Sequence, residues 1–332
     1  MPARDARSRA ARALLFHARM ARSSLLCSVA LATPLLCAHA QTAPVQREYS
    51  RQFQSPPGTV DLQGQRNAPE VSRFDGTSIE DDAFGEQAIL KREERPRAFS
   101  AYAEIGAFVT NNVALAKRNA QQDVFLVATT AASFAHRFSH AIRFDAGAQA
   151  SVFRYDEVRE LDFQSTDLSA GVTWTAPVAG GVDVSARYVF TDLTTAERTR
   201  EFYKNHAILL GVQKTIPFSR AQLVYFGASS LWSFADPKPA GRDEYSAYAG
   251  YRAQLTRRMD ADLYYRFGHY VYRHGGGRRD ENHTLSLSLH YRPTEWLSFS
   301  ASSFFGTNRS NRDAFDYEVL NAGVGVQCSM QF

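Results

Sequence analysis

From Phe99 onward, apolar and polar side chains alternate with a period of two. EYSAYAGYRAQLT (244–256) sets Tyr245, Ala247, Ala249, Tyr251, Ala253 and Leu255 against Ser246, Tyr248, Gly250, Arg252, Gln254 and Thr256. MDADLYYRFG (259–268) and HTLSLSLHYR (283–292) repeat the pattern. Successive side chains of a strand point to opposite faces, so this period predicts strands with one apolar and one polar face. Twelve are predicted, at about 99–111, 123–136, 141–155, 163–177, 181–193, 203–216, 220–233, 244–256, 259–272, 282–293, 295–307 and 317–332. The connections alternate in length. Short ones fall at RFSHA, PVAGG, PFSR, TRR and RPTE; long polar ones fall at NVALAKRNAQQ, DEVREL, TTAERTREFYK, ADPKPAGRDE, HGGGRRDE and RSNRDAFD. Long strands joined by alternating short and long hairpins are the signature of a transmembrane barrel, with tight periplasmic turns and longer outer loops. The expected fold is all-β: a single antiparallel up-and-down transmembrane β-barrel of about 12 strands.

The segment GVGVQCSMQF (323–332) keeps the alternation to Phe332. Val324, Val326, Cys328 and Met330 take the lipid face. No strand edge can stay unpaired in hydrocarbon, so strand twelve is expected to pair with strand one. Phe332 then falls in the aromatic girdle on the periplasmic side. Here the chain resembles the bacterial outer-membrane β-barrel proteins, over about 99–332 as a pattern and over the last ten residues as a motif. The resemblance implies that Phe332 is the C-terminal signal read by the barrel assembly machinery. It also implies passage through periplasmic chaperones and contact with outer-membrane lipid and lipopolysaccharide. TNNVAL (110–115) further resembles the Asn-rich rim stretch of porin-like β-barrel families of unassigned function.

The first 98 residues have a different texture. Six arginines up to Arg22, the apolar stretch SSLLCSVALATPLL and AHA at 38–40 compose an export signal, with cleavage expected near Ala40. Met20 would start a signal of more ordinary length. Residues 41–96 are polar and rich in turn formers, as in QSPPGTVDLQGQRNAPEVSRFDG, and are expected to form a largely disordered periplasmic extension. Within it, DDAFGEQAILKREERP (81–96) reads either as a solvated linker or as an element packing in or under the barrel. The expected division is thus a signal peptide at 1–40, an extension at 41–96 and the barrel at 97–332.

Charge and composition narrow the picture further. The chain carries 38 basic and 34 acidic residues; six Arg and Asp5 lie in 1–40, leaving 32 and 33, a net of −1. No nucleic-acid footprint remains. Cys27 and Cys37 leave with the signal, so Cys328 is alone and supports neither a disulfide framework nor a cysteine-based zinc site within one mature chain. After the signal no apolar run reaches 18 residues, which excludes a helical span. A soluble β-sandwich also alternates, but has no need of a second face so rich in Asp, Arg and Gln.

That second face is the expected lumen. Its candidate lining residues are Glu104, Arg143, Asp145, Asp183, Arg187, Arg252, Asp260, Asp262, Arg266 and Arg292, with Gln149, Asp167, Gln213, Gln222, Gln254, His290 and Gln327 beside them. Two readings follow. A water-filled path could run between an acidic and a basic wall, or the charges could interlock and shut the barrel. The first makes the protein a narrow passive channel for small polar solutes, or an accessory barrel in export of a surface polymer. The second makes it a structural or adhesive barrel acting through its outer loops.

Catalytic signals are thin, and the expectation is that the protein is not an enzyme and holds no cofactor or metal. HGGG (274–277) imitates a lipase oxyanion loop without the G-x-S-x-G elbow. The architecture resembles that of outer-membrane phospholipases, which place a Ser–His pair on the outer wall. His269, His283 and Ser303 have outward parity here, but the His-x-Ser-Asn-Gly type of motif is absent. His136 and His140 have the closest histidine spacing and flank a short turn, where solvation is expected.

Overall fold

The computed structural model describes residues 43–45, 98–177, 180–196, 200–219, 221–274 and 276–332. The export signal and nearly all of the 41–96 extension lie outside the described residues; Ala43–Val45 form one helical turn. Twelve strands follow: β1 (Phe99–Thr110), β2 (Asp123–Arg137), β3 (Ile142–Tyr155), β4 (Phe163–Ala176), β5 (Val182–Thr195), β6 (Glu201–Pro217), β7 (Gln222–Asp236), β8 (Asp243–Gln254), β9 (Met259–Val271), β10 (Arg279–Tyr291), β11 (Leu297–Ser310) and β12 (Tyr317–Gln331). Each pairs with its sequence neighbours, and β12 closes the barrel onto β1. The closing register runs antiparallel from Ser100 opposite Gln331 to Thr110 opposite Asn321. Phe99 and Phe332 exchange both N–H···O bonds at 3.0 Å, and their rings stack 6.1 Å apart. All twelve strands expected from the alternation are present, with ends displaced by at most three residues; β10, for example, begins at Arg279 rather than 282.

The outer wall is apolar. Ile105, Leu126, Leu263, Leu287 and Val324 are all exposed there, in the band that only lipid can cover. At the short-turn end, Phe99, Phe138, Trp174, Phe218, Trp296 and Phe332 form an exposed aromatic girdle. His136, at the first short turn, lies in this girdle rather than in solvent alone: its ring packs parallel to Phe134 and edge-on to Phe138 at 4.9 Å. Strands of 12 to 17 residues exceed the roughly 9–11 that a tilted strand needs to cross a bilayer. Since the girdle marks the short-turn end, the surplus length rises on the long-loop side and carries the loops clear of the membrane.

Candidate functional site: the barrel lumen

The lumen is divided along its length and around its circumference. Toward the short-turn end its lining residues are partly or fully exposed, as at Arg143, Asp145, Ser133 and Gln327. Toward the long-loop end the same faces are buried, as at Glu104, Phe108 and Thr110 along β1. A vestibule therefore opens at the short-turn end and narrows outward.

Along β8–β10 the lining is polar over nearly its whole length, and β11 continues it except at Phe304. Arg252 and Asp262 stand opposite one another on β8 and β9, and Arg252 Nε donates to Asp262 Oδ2 at 2.9 Å. The other oxygen of Asp262 accepts the Tyr225 hydroxyl at 3.0 Å. Tyr225 lies on β7 and reaches over Gly250 of β8, where a Cβ would stand 2.2 Å from its ring. Higher up, Arg266 donates to Glu244 at 2.8 Å and to the Tyr270 hydroxyl at 2.9 Å. Arg242 shares Glu244 and stacks on Tyr270. At the outer rim Arg278 grips Asp280 with two nitrogens and lies between the rings of Tyr272 and Phe315, while Arg273 grips Asp243. Uncharged groups continue the lane on β10 and β11, where Asn282, Thr284, Ser286, Ser288, Ser302 and Asn308 are all buried.

These contacts place the sequence-derived candidates. Arg187 pairs with Asp145, Arg252 with Asp262 and Arg292 with Asp260. Asp183 accepts from the Thr175 hydroxyl at 2.6 Å, and Arg266 finds Glu244, which the sequence reading did not single out. Glu104 and Arg143 face the lumen but form no ion pair among the described residues. The reading of separate acidic and basic walls, one of the two left open, is corrected: bases and acids are neighbours, on adjacent strands at Arg252–Asp262 and Arg266–Glu244 and across β4 at Arg187–Asp145, because nearby opposite charges neutralise each other more cheaply than charges held apart across the lumen. Gln222 is a second correction. It pairs with Ala253 and is exposed on the outer wall, since lumen parity on β7 is set by Tyr225, Ser229 and Ser233.

The rest of the outer lumen is apolar, which alternation alone did not lead us to expect. Phe108, Phe125, Val127, Phe153, Tyr155, Phe163, Leu193, Tyr203, Phe304, Tyr317 and Val319 form one buried cluster contributed by eight strands. A signal was present: DVFLVA (123–128) is apolar on both faces, where a strand lining water would alternate. Loops add to the cluster from above. Asn112, from the Asn-rich stretch, donates to Ala116 O and Glu318 O and accepts from Ala116 N, all at 2.9 Å. This turns the β1–β2 loop inward, so that Val113 is fully buried and Leu115 packs on the cluster with a left-handed φ of 52°. Val158 and Leu161 enter from the β3–β4 loop, held by Asp123 accepting from the Glu157 and Val158 amides. Ala43 and Val45 occupy the same cluster.

One latch ties the rim. Lys117 of the β1–β2 loop bonds Asp316 at 3.0 Å, with Asp313 at 3.5 Å. The hydrogen bond to Asp316 and the two carboxylate charges hold Lys117 above the ordinary lysine range. The Ser310 amide first, and Lys117 second, hold Asp316 below the usual carboxylate range.

The lipase-like features do not assemble. His283 bonds the Tyr265 hydroxyl at 2.8 Å on the outer wall. It stands opposite Thr307 of β11, four residues or about 13 Å along the strand from Ser303. The described glycines of HGGG lie in a rim turn: Gly276 and Gly277 take left-handed φ, and their carbonyls accept from Arg312 and Asn311.

Comparison with known proteins agrees with this geometry. No protein-family model matches the chain, and no curated protein matches it in sequence. Solved structures do. An outer-membrane channel from Pseudomonas putida F1 superposes with a TM-score of 0.51 at 10% identity, over 74% of this chain and 100% of that one. The fold is that of the outer-membrane β-barrels. A KdgM porin in complex with disordered oligogalacturonate (TM-score 0.38, 9% identity, 69% of this chain and 99% of that one) and LpxR from Salmonella typhimurium (0.38, 10%, 67% and 99%) are also similar.

Proposed function

We propose that the protein is an exported outer-membrane barrel, processed near Ala40 and assembled through Phe332, that acts as a narrow channel for small polar solutes. The observation that carries this reading is the polar lane on β8–β11. It runs from Asp260 and Arg292 at the vestibule to Asp280 and Arg278 at the outer rim, and offers a crossing solute hydrogen bonds at every level. In the conformation described, the outer half beside the lane is filled, so conduction requires a movable part of the apolar cluster to withdraw. That filling favours a second reading, a closed barrel acting through its latched outer loops.

Single-channel recording on refolded protein in planar bilayers separates the two. Discrete openings support the channel. Arg252 is matched by Asp262, and Arg266 shares Glu244 with Arg242, so replacing Arg252 and Arg266 with Ala unmasks Asp262 and moves this stretch from a net charge of +1 to −1. Selectivity should then move toward cations. Absence of openings, or selectivity indifferent to both changes, favours the closed barrel.

A further inference from the structure

Ala43, Pro44 and Val45 are the one apolar triplet in QTAPVQREYS, a stretch otherwise dominated by polar side chains. In the structure this triplet is inside the barrel: Ala43 is buried in the outer-lumen cluster, and Val45 is packed against it. The matching of chemistry is mutual. Phe108, Phe153, Phe304 and Val319 present aromatic and aliphatic surface to a lumen that would otherwise fill with water, and apolar surface in water favours a partner that covers it. The expected cleavage after Ala40 would leave Gln41 and Thr42 ahead of the triplet, so the seat would receive a chain end. A chain end can withdraw without unfolding a strand, whereas the aromatic side chains around it are fixed on paired strands.

We propose that Ala43–Val45 are a built-in plug: the segment behind the export signal seats in the apolar cluster of the outer lumen and holds the channel shut. The plug rests on the channel reading above and adds the element that governs its opening. The seat is small, one alanine with two half-buried neighbours, so the plugged state exchanges with an unplugged one rather than sealing the barrel permanently. An acidic side chain at position 43 would bring an unpaired charge into the cluster, which the segment can avoid only by leaving.

Two measurements on the full-length exported protein test this. In a Cys328→Ser background, which removes the exposed native thiol, Ala43→Cys is probed with a membrane-impermeant maleimide, with His140→Cys at a short turn as the exposed reference. The thiol introduced at position 43 should react at least ~10-fold more slowly than the reference, since reaction follows the open fraction. Equal rates overturn the plug. In bilayers, Ala43→Asp should raise the open probability at least ~10-fold over the unsubstituted chain. Retention of heat-modifiable migration would show that the barrel itself is intact. If unsubstituted protein and Ala43→Asp conduct alike, the plug is wrong and the channel stands. If neither conducts while the thiol at position 43 stays protected, the channel reading fails and the plug with it.

Discussion

Leu287→Arg tests whether the outer wall faces hydrocarbon. Leu287 lies on β10 between two interfacial aromatic positions: Tyr291, stacked on Phe299 toward the short-turn end, and His283, bonded to Tyr265 toward the long-loop end. Eight residues separate these markers. At about 3.3 Å per residue and a tilt near 40°, the vertical distance between them is roughly 20 Å. Leu287 is four residues from each, hence about 10 Å from either interface and close to the midplane. An arginine there should cost about 2–4 kcal/mol, whereas Tyr291→Arg, at the interface, should cost about 0–1 kcal/mol plus the loss of one aromatic contact. Equilibrium unfolding in denaturant, read from the folded fraction reconstituted in lipid vesicles, gives both values. Equal costs, or a cost below about 0.5 kcal/mol at Leu287, would refute the placement of this wall in lipid. Parity alone makes Ser288→Arg a mild control, but Ser288 is only 2% exposed, so an arginine there overpacks the lumen and is unsuitable.

Further outcomes follow from the same geometry. Gly250→Ala should be destabilising by about 1–3 kcal/mol because its Cβ would overlap Tyr225, and a double-mutant cycle with Tyr225→Ala should recover most of that cost. Deleting Phe332 removes two backbone hydrogen bonds to Phe99 together with the ring stack, so the yield of heat-modifiable barrel should fall further than for Phe332→Tyr. The rim latch should withstand acid. Asp316 is depressed, so its contribution is present above the ordinary aspartate value near 4 and is lost only as pH falls through its lower folded value. Lys117 is raised, so its contribution is complete below the ordinary lysine value near 10.4 and fades only above it. Hydrogen exchange in the β1–β2 loop should therefore not respond to the latch between pH 5 and 7 in the native chain; a latch-dependent rise over that interval, absent in Asp316→Asn, would contradict the assignment.

The strands were legible because their pattern depends on one physical variable, which medium each side chain meets. Lipid outside and a lined lumen inside impose a period of two that runs through most of the strand positions from Phe99 to Phe332. The lumen was less legible because period two assigns a face without saying what that face packs against. Asp145 and Arg187 share a face by parity alone, yet their pairing depends on the register of three strands at once. The apolar filling could have been read from the breaks in alternation at Phe125, Val127 and Phe153, which give up a water-facing position to aromatic or aliphatic side chains. Asn112 could not, since its role is to satisfy backbone groups whose positions exist only after the loop has folded inward.

The ion pair between Arg187 and Asp145 spans β4 without touching a side chain there, because the residue between them in register is Gly171. A Cβ at that glycine would stand 2.9 Å from Ala186 O and 3.1 Å from Arg187 Cβ. The three positions are therefore one unit of inheritance. A side chain at 171 would meet Ala186 O and Arg187 Cβ whether or not the charges are kept, so the glycine is the precondition and the pair is what it permits. Among descendants of this barrel, 145 and 187 should covary most strongly where 171 is glycine. Taken as a sign of direct strand contact, that covariation would set β3 beside β5, two strands that do not hydrogen-bond to each other.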